Sequence, residues 1–148
     1  MIGAERGGMH ARATIESYYE ALRDGEPLSP FFVEDPEIVK IGVSEELYGF
    51  RRVADGLAEQ TGRTDEWSVE SHDLVVGNRE TFAWFRDEVA LSWYDRERYE
   101  TFTYETRWTG TLERRPPNEW RFVSMHVSVP VDRTDDRGED RMNDRDVN

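Results

Sequence analysis

Apolar residues recur at helical spacing near the start of the chain and at alternating spacing through its second half. From Met9 to Arg23, Ala13, Ile15, Tyr18, Tyr19 and Leu22 approximate one stripe of an amphipathic helix, and Asp24-Gly25 supplies a stop. Ser29-Pro30 suits the N-cap and first position of a short helix through Phe31 and Phe32. Pro36 to Gly42 (PEIVKIG) reads as a short strand and Ser44 to Tyr48 as a loop. Gly49 opens a second long helix to about Gly62, with Phe50, Val53, Ala54 and Leu57 on its buried side.

From Glu66 the spacing changes. Trp67–Val76 is strand-like, and Gly77-Asn78 is a turn signal. Thr81–Trp93 is a second strand, Tyr94–Arg98 a polar connection and Tyr99–Arg114 a long third strand. Pro116-Pro117-Asn118 turns the chain into a last strand, Trp120–Val129. Helices followed by a run of strands predict an α+β domain with an antiparallel meander. Strict alternation in the last strand puts Trp120, Phe122, Ser124, His126 and Ser128 on one face and Val123, Met125, Val127 and Val129 on the other. Both faces then carry apolar side chains and both need cover. The helices cover one, and a second copy of the sheet is the simplest cover for the other, so a homodimer through the sheet is expected.

Composition sharpens this picture. Of 148 residues 36 % are hydrophobic and 12 % aromatic, which is enough for one folded domain. We place that domain at residues 9–131. Asp132 to Asn148 holds seven acids and four arginines around Met142 and Val147, and reads as a disordered acidic tail; residues 1–8 read as loose. No apolar run approaches a membrane span or a secretory signal, so a soluble, cytoplasmic protein is expected. The absence of cysteine removes disulfides, thiolate nucleophiles and iron–sulfur ligation. Thirty-two acids against 19 basic residues give a net charge of −13, and no basic run exceeds two residues, which argues against nucleic acid and anionic membrane as partners. Lys40 is the only lysine beside 18 arginines. An acidic chain almost without lysine fits a protein adapted to molar salt, where the Debye length falls to about 3 Å; a GC-rich genome is the alternative source of the arginines.

The element order and several landmarks resemble the nuclear-transport-factor-2-like superfamily, and within it the SnoaL-like domains related to polyketide cyclases. The landmarks are YYEALRDGE on the first helix, FFVEDPEIV before the first strand, ELYGFRRVADGL at the glycine-started helix, TFAWFRDEVAL on a middle strand and RWTGTLERRPPNEWRFVSMHVSVP at the end. The resemblance implies a cone: a strongly curved antiparallel sheet wrapped around the N-terminal helices, with a pocket at the open end. It also implies functions that range from cofactor-free isomerases, cyclases and dehydratases to pure binding or assembly modules, so the fold does not choose among them.

Candidate chemistry follows. His126 shares its expected face with Trp120 and Phe122 and would exchange a proton near neutral pH; a histidine bonded within the core is the alternative. Asp35 lies where the resemblance places a base in some related isomerases, against Phe31 and Phe32; the alternative is a solvated acid before proline. Asp87 and Glu88 interrupt an apolar strand, so one of them points inward, where it pairs with Arg107 or acts as a base. Asp87 falls on the face of Ala83, Phe85 and Val89. Tyr18, Trp84, Trp108, Trp120 and Phe122, with Arg107 for an anionic group, are the candidate ligand contacts, shaped for a small apolar or aromatic molecule. The three histidines lack ligand spacing, and no metal or cofactor is expected. A small-molecule pocket with acid–base chemistry beside a carbonyl is the leading expectation; a non-catalytic binding or assembly module is the alternative.

Overall fold

The computed structural model describes residues 2–131, with side chains from residue 10 onward; the expected acidic tail lies outside them. Helix α1 spans Ile2–Asp24 and so includes residues expected to be loose. Its buried stripe is Ala11, Ile15, Tyr18, Tyr19 and Leu22, with Ala13 exposed. The spacing 11–15–18–22 follows one helical face, which Ala13 leaves by about half a turn. Gly25 takes a left-handed φ of 70°, and Glu26 N–H donates to Ala21 O at 2.9 Å, closing the helix end.

A single 3₁₀ turn follows at Ser29–Phe31, capped by Leu28 and not by Ser29. Strand β1 is Val39–Ile41. The segment expected as a loop contains a strand, β2 (Glu46–Tyr48), paired antiparallel with β1. Three residues are too short for a periodic signal in sequence. Helix α2 is Phe50–Arg63 and buries Val53 and Leu57. Gly49 caps it at φ 89°, a conformation that strains other residues.

The expected strand over 67–76 is two: β3 (Thr64–Ser71) and β4 (Val75–Asn78), both paired with β5 (Phe82–Asp95). Gly77-Asn78 ends β4 and does not form the turn. After a turn at 96–99 comes β6 (Glu100–Arg115), then the Pro116-Pro117 corner and β7 (Glu119–Ser128). The sheet order is β2-β1-β7-β6-β5-β3, with β4 beside β5. The meander is antiparallel as expected, but β1 joins β7 in parallel, so the sheet is mixed.

One residue decides which way β7 faces. Thr111 pairs with Ser124 while Leu112 pairs with Phe122, so Val123 is an extra residue, a β-bulge. Trp120 and Phe122 point inward before it, and Met125 and Val127 point inward after it; all four are at most 5 % exposed. The expected alternation is therefore overturned. His126 is turned to the exposed outer face beside Ser124 and Ser128. This also removes the second apolar face of β7 from which the dimer was inferred. Gly110, opposite Met125, makes the bend possible: a Cβ there would lie 2.5 Å from Ser124 O and 2.7 Å from a Phe85 ring carbon.

The concave side of the sheet closes on α1. Tyr18 meets Phe31, Phe32, Trp108 and Phe122 edge-on at 5.3–6.2 Å. Each such side chain contributes about 1.5–3 kcal/mol on burial. Arg12 and Arg23 donate to Leu74 O and Val69 O, which ties α1 to the β3–β4 edge and occupies carbonyls there. No helix among the described residues is long and apolar enough to cross a membrane.

Candidate functional site

A cavity of about 450 Å³ opens between α1, α2, the β1–β2 turn and the inner face of the sheet. Its aromatic wall comes from three adjacent strands. Trp67 of β3 stacks on Trp93 of β5 at 4.8 Å and 20°, and Trp93 lies 5.8 Å from Phe102 and 5.6 Å from Tyr104 of β6. Inward positions recur every second residue along a strand, so neighbouring strands stack their rings into one flat surface.

The polar part of the cavity comes from short elements. Lys40 is the middle residue of β1, opposite inward-facing Met125, and is only 6 % exposed. Glu45 lies in the tight turn to β2, which Gly42 N–H closes on Glu45 O at 2.9 Å. The turn places the Glu45 carboxylate on the Lys40 ammonium in a direct, part-buried ion pair. Tyr18 of α1 lines the same cavity. Burial, and after it the negative charge of Glu45, raise the Tyr18 pKa well above the ordinary phenol value, so its hydroxyl stays protonated. Lys40, Glu45 and Tyr18 thus join a cation, a carboxylate and a hydroxyl donor in a cavity with one ring-lined wall. At the mouth, Arg63 Nε approaches Asp95 Oδ2 at 3.7 Å. Asp95 Oδ1 is taken by the Glu97 and Arg98 amides of the following turn.

Of the residues singled out from sequence, the cavity collects Tyr18 and Trp108. His126 is on the outer face, because of the bulge at Val123. Asp35 is exposed; its Oδ1 accepts from Glu37 N–H at 2.8 Å and its carbonyl from Phe50 N–H, so it organises the entry to α2. Arg107 is exposed and, among the described residues, donates to the Val129 carbonyl at 3.5 Å. Trp84 points outward, 39 % exposed, under the Arg79 guanidinium. Phe122 is core packing between Tyr18, Phe32 and Phe85. Trp120 is buried beside a separate shallow groove with His10, Phe31 and Asn118.

Of the two acids between which the sequence left the choice open, Asp87 is inward and Glu88 outward. Yet Asp87 is not a cavity wall and does not pair with Arg107. It sits behind the β3–β4 break, where Oδ2 accepts from Tyr19 Oη at 2.8 Å and Ser71 Oγ at 2.6 Å, and Oδ1 from Asp73 N–H at 3.0 Å. Three donors satisfy this carboxylate where the edge strand leaves the ladder. Burial, followed by the bond to Asp87, raises the Tyr19 pKa and keeps it a donor.

Lys40 and Glu45 are absent from the sequence-derived site. A compositional signal was present nonetheless. In a chain that uses arginine for every other cation, the one lysine stands at the one position where a compact ammonium faces the cavity.

Comparison with known proteins agrees with this architecture. A search of curated proteins gave no match. Among solved structures, the chain is similar to a nuclear transport factor 2-like superfamily protein from Salmonella enterica serovar Typhimurium (TM-score 0.76, 17 % identity, 86 % of this chain and 94 % of that one). It is also similar to a provisionally named dehydratase of the same family from Streptomyces avermitilis (TM-score 0.76, 15 % identity, 86 % and 99 %). A third is a ketosteroid isomerase-like protein from Erwinia carotovora atroseptica (TM-score 0.70, 12 % identity, 84 % and 97 %). At these identities the likeness establishes the fold alone. The sequence profile of the SnoaL-like domain matches residues 11–132, most of the chain, and on that match the protein belongs to the SnoaL-like domain family, with the nuclear-transport-factor-2-like fold.

Proposed function

We propose that the protein is a cofactor-free acid–base catalyst acting beside the carbonyl of a flat, ring-bearing small molecule. The observation that carries this reading is the grouping of Tyr18, Lys40 and Glu45 on a cavity that has a stacked aromatic wall on one side and Glu59, Arg63, Asp95 and Arg98 among its other lining residues. Glu45 is the base that takes the proton from the carbon next to the carbonyl. The Tyr18 hydroxyl and the Lys40 ammonium hold the oxygen on which negative charge develops. The wall of Trp67, Trp93, Phe102 and Tyr104 orients the ring and excludes water. This assignment moves the chemistry away from His126, Asp35 and Asp87. A cavity of about 450 Å³ supports a ligand over a cone filled by its own side chains.

Proton–deuterium exchange tests it. In D₂O, a bicyclic ketone such as 2-tetralone should exchange its α-hydrogens faster with the protein than with buffer, as read by proton NMR. Glu45→Gln should lower that acceleration about 100-fold. Tyr18→Phe should lower it less, because Lys40 still holds the oxygen. Exchange that is unchanged in Glu45→Gln would overturn the mechanism. Binding without any exchange would leave a ligand-binding protein.

A further inference from the structure

Lys40 is the only lysine in a chain with 18 arginines, and it is buried on the cavity wall. Arg63 and Arg98 line the same cavity, so a cation alone does not require lysine there. A guanidinium shares charge and donor capacity with an ammonium; what it lacks is a compact head and the ability to lose its proton and act as a nucleophile. At residue 40 the amine is buried on the cavity wall with a carboxylate, Glu45, as its direct partner.

We propose that Lys40 condenses with the carbonyl of the bound molecule to form an imine, so that the proton removal by Glu45 proposed above runs through a covalent intermediate in which the protonated imine replaces the contact of the Lys40 ammonium with the carbonyl oxygen. The inference rests on that reading, since it needs a carbonyl compound in the same cavity. When a ring fills the aromatic wall and expels water, the Lys40–Glu45 ion pair loses solvation, and proton transfer within the pair yields a neutral amine and a neutral acid. The amine nitrogen adds to the carbonyl carbon while the Tyr18 hydroxyl hydrogen-bonds the oxygen, and one proton passes from that nitrogen to the oxygen to give a neutral carbinolamine. Glu45 returns the proton to that hydroxyl, water leaves, and a protonated imine remains on Lys40. One C–N double bond replaces one C–O double bond, one water is released, and no oxidant or reductant enters. The protonated imine draws electrons from the neighbouring C–H bond more strongly than the parent carbonyl. The Glu45 carboxylate regenerated in the step is placed to remove that proton.

The single lysine makes the test direct. The protein is incubated with 2-naphthaldehyde and sodium cyanoborohydride, which reduces the protonated imine to a stable secondary amine. The adduct is located by peptide mass, and binding of the same aldehyde is followed separately by quenching of tryptophan fluorescence. Folded protein should carry one adduct on Lys40, formed at least tenfold faster than on the same lysine in the urea-unfolded chain. Lys40→Arg should bind the aldehyde and form no cavity adduct, and Glu45→Gln should slow trapping at least tenfold while remaining folded by circular dichroism. Aldehyde that binds the folded wild type without faster labelling of Lys40 overturns the imine and leaves non-covalent chemistry standing. Failure of the aldehyde to quench or to label overturns the imine and the ring-binding pocket together.

Discussion

Removing the Asp87 carboxylate separates a structural from a catalytic role for the acid of the Asp87–Glu88 pair that the structure turns inward. Asp87→Ala strips the acceptor from three donors, Tyr19 Oη, Ser71 Oγ and Asp73 N–H. A hydrogen bond to a charged acceptor is worth about 1.5–3 kcal/mol, and a donor left dry costs about 1–3 kcal/mol. The three do not count equally. Ser71 and Asp73 are on the exposed edge, where water replaces the lost acceptor, whereas Tyr19 is 2 % exposed and packs edge-on against Trp108 at 5.3 Å. The loss is therefore about 3–4 kcal/mol, most of it at Tyr19. For a protein of this size that lowers Tm by roughly 6–16 °C. Asp87→Asn keeps an oxygen for the Asp73 amide and an amide group that the two hydroxyls, free to rotate, accept from. It should cost about 1–2 kcal/mol. Thermal unfolding followed by circular dichroism and by tryptophan fluorescence measures both variants. At a temperature where each is folded, ketone exchange and aldehyde binding should match the wild type. A loss of under about 1 kcal/mol in Asp87→Ala would refute the three-donor accounting. Full stability with abolished exchange in Asp87→Asn would return the acid to catalysis.

Other outcomes follow from the same geometry. Gly110→Ala drives a Cβ to 2.5 Å from the Ser124 carbonyl, so chemical denaturation should show a loss of about 1–3 kcal/mol, and wild-type stability would refute the bulge geometry. Tyr18 and Tyr19 both have pKa values raised by burial, so the folded state holds its phenol protons more tightly than the unfolded chain. That stability is present below the ordinary phenol pKa near 10 and is lost as pH rises past it, a slope that Tyr19→Phe should reduce in urea titrations between about pH 9 and 11. With a net charge of −13, Tm should rise steadily with KCl into the molar range, and a flat response above about 0.2 M would end the reading of salt adaptation.

The sequence alone determined the elements whose signal is long and local: the α1 face through Ile15 and Leu22, the glycine-started α2, the run of β5, β6 and β7, and the inward turn of one of Asp87 and Glu88. The helix faces and strand runs depend on periodicity over many residues, where burial of one face outweighs any single exception. Tertiary structure decided what depends on one residue or on pairs distant in sequence. A single extra residue at Val123 reversed the rest of β7, sent His126 out and brought Met125 and Val127 in, because side-chain direction along a strand has period two and keeps no memory past a bulge. β2 is too short to announce itself, yet its turn is what delivers Glu45 to Lys40. The aromatic wall draws on β3, β5 and β6 at once, so which tryptophans meet is a property of strand order and register and not of any one segment. Lys40 marked itself in the composition, but its cavity, its partner and its burial exist only once β1 lies against β7 and β2 turns back beside it.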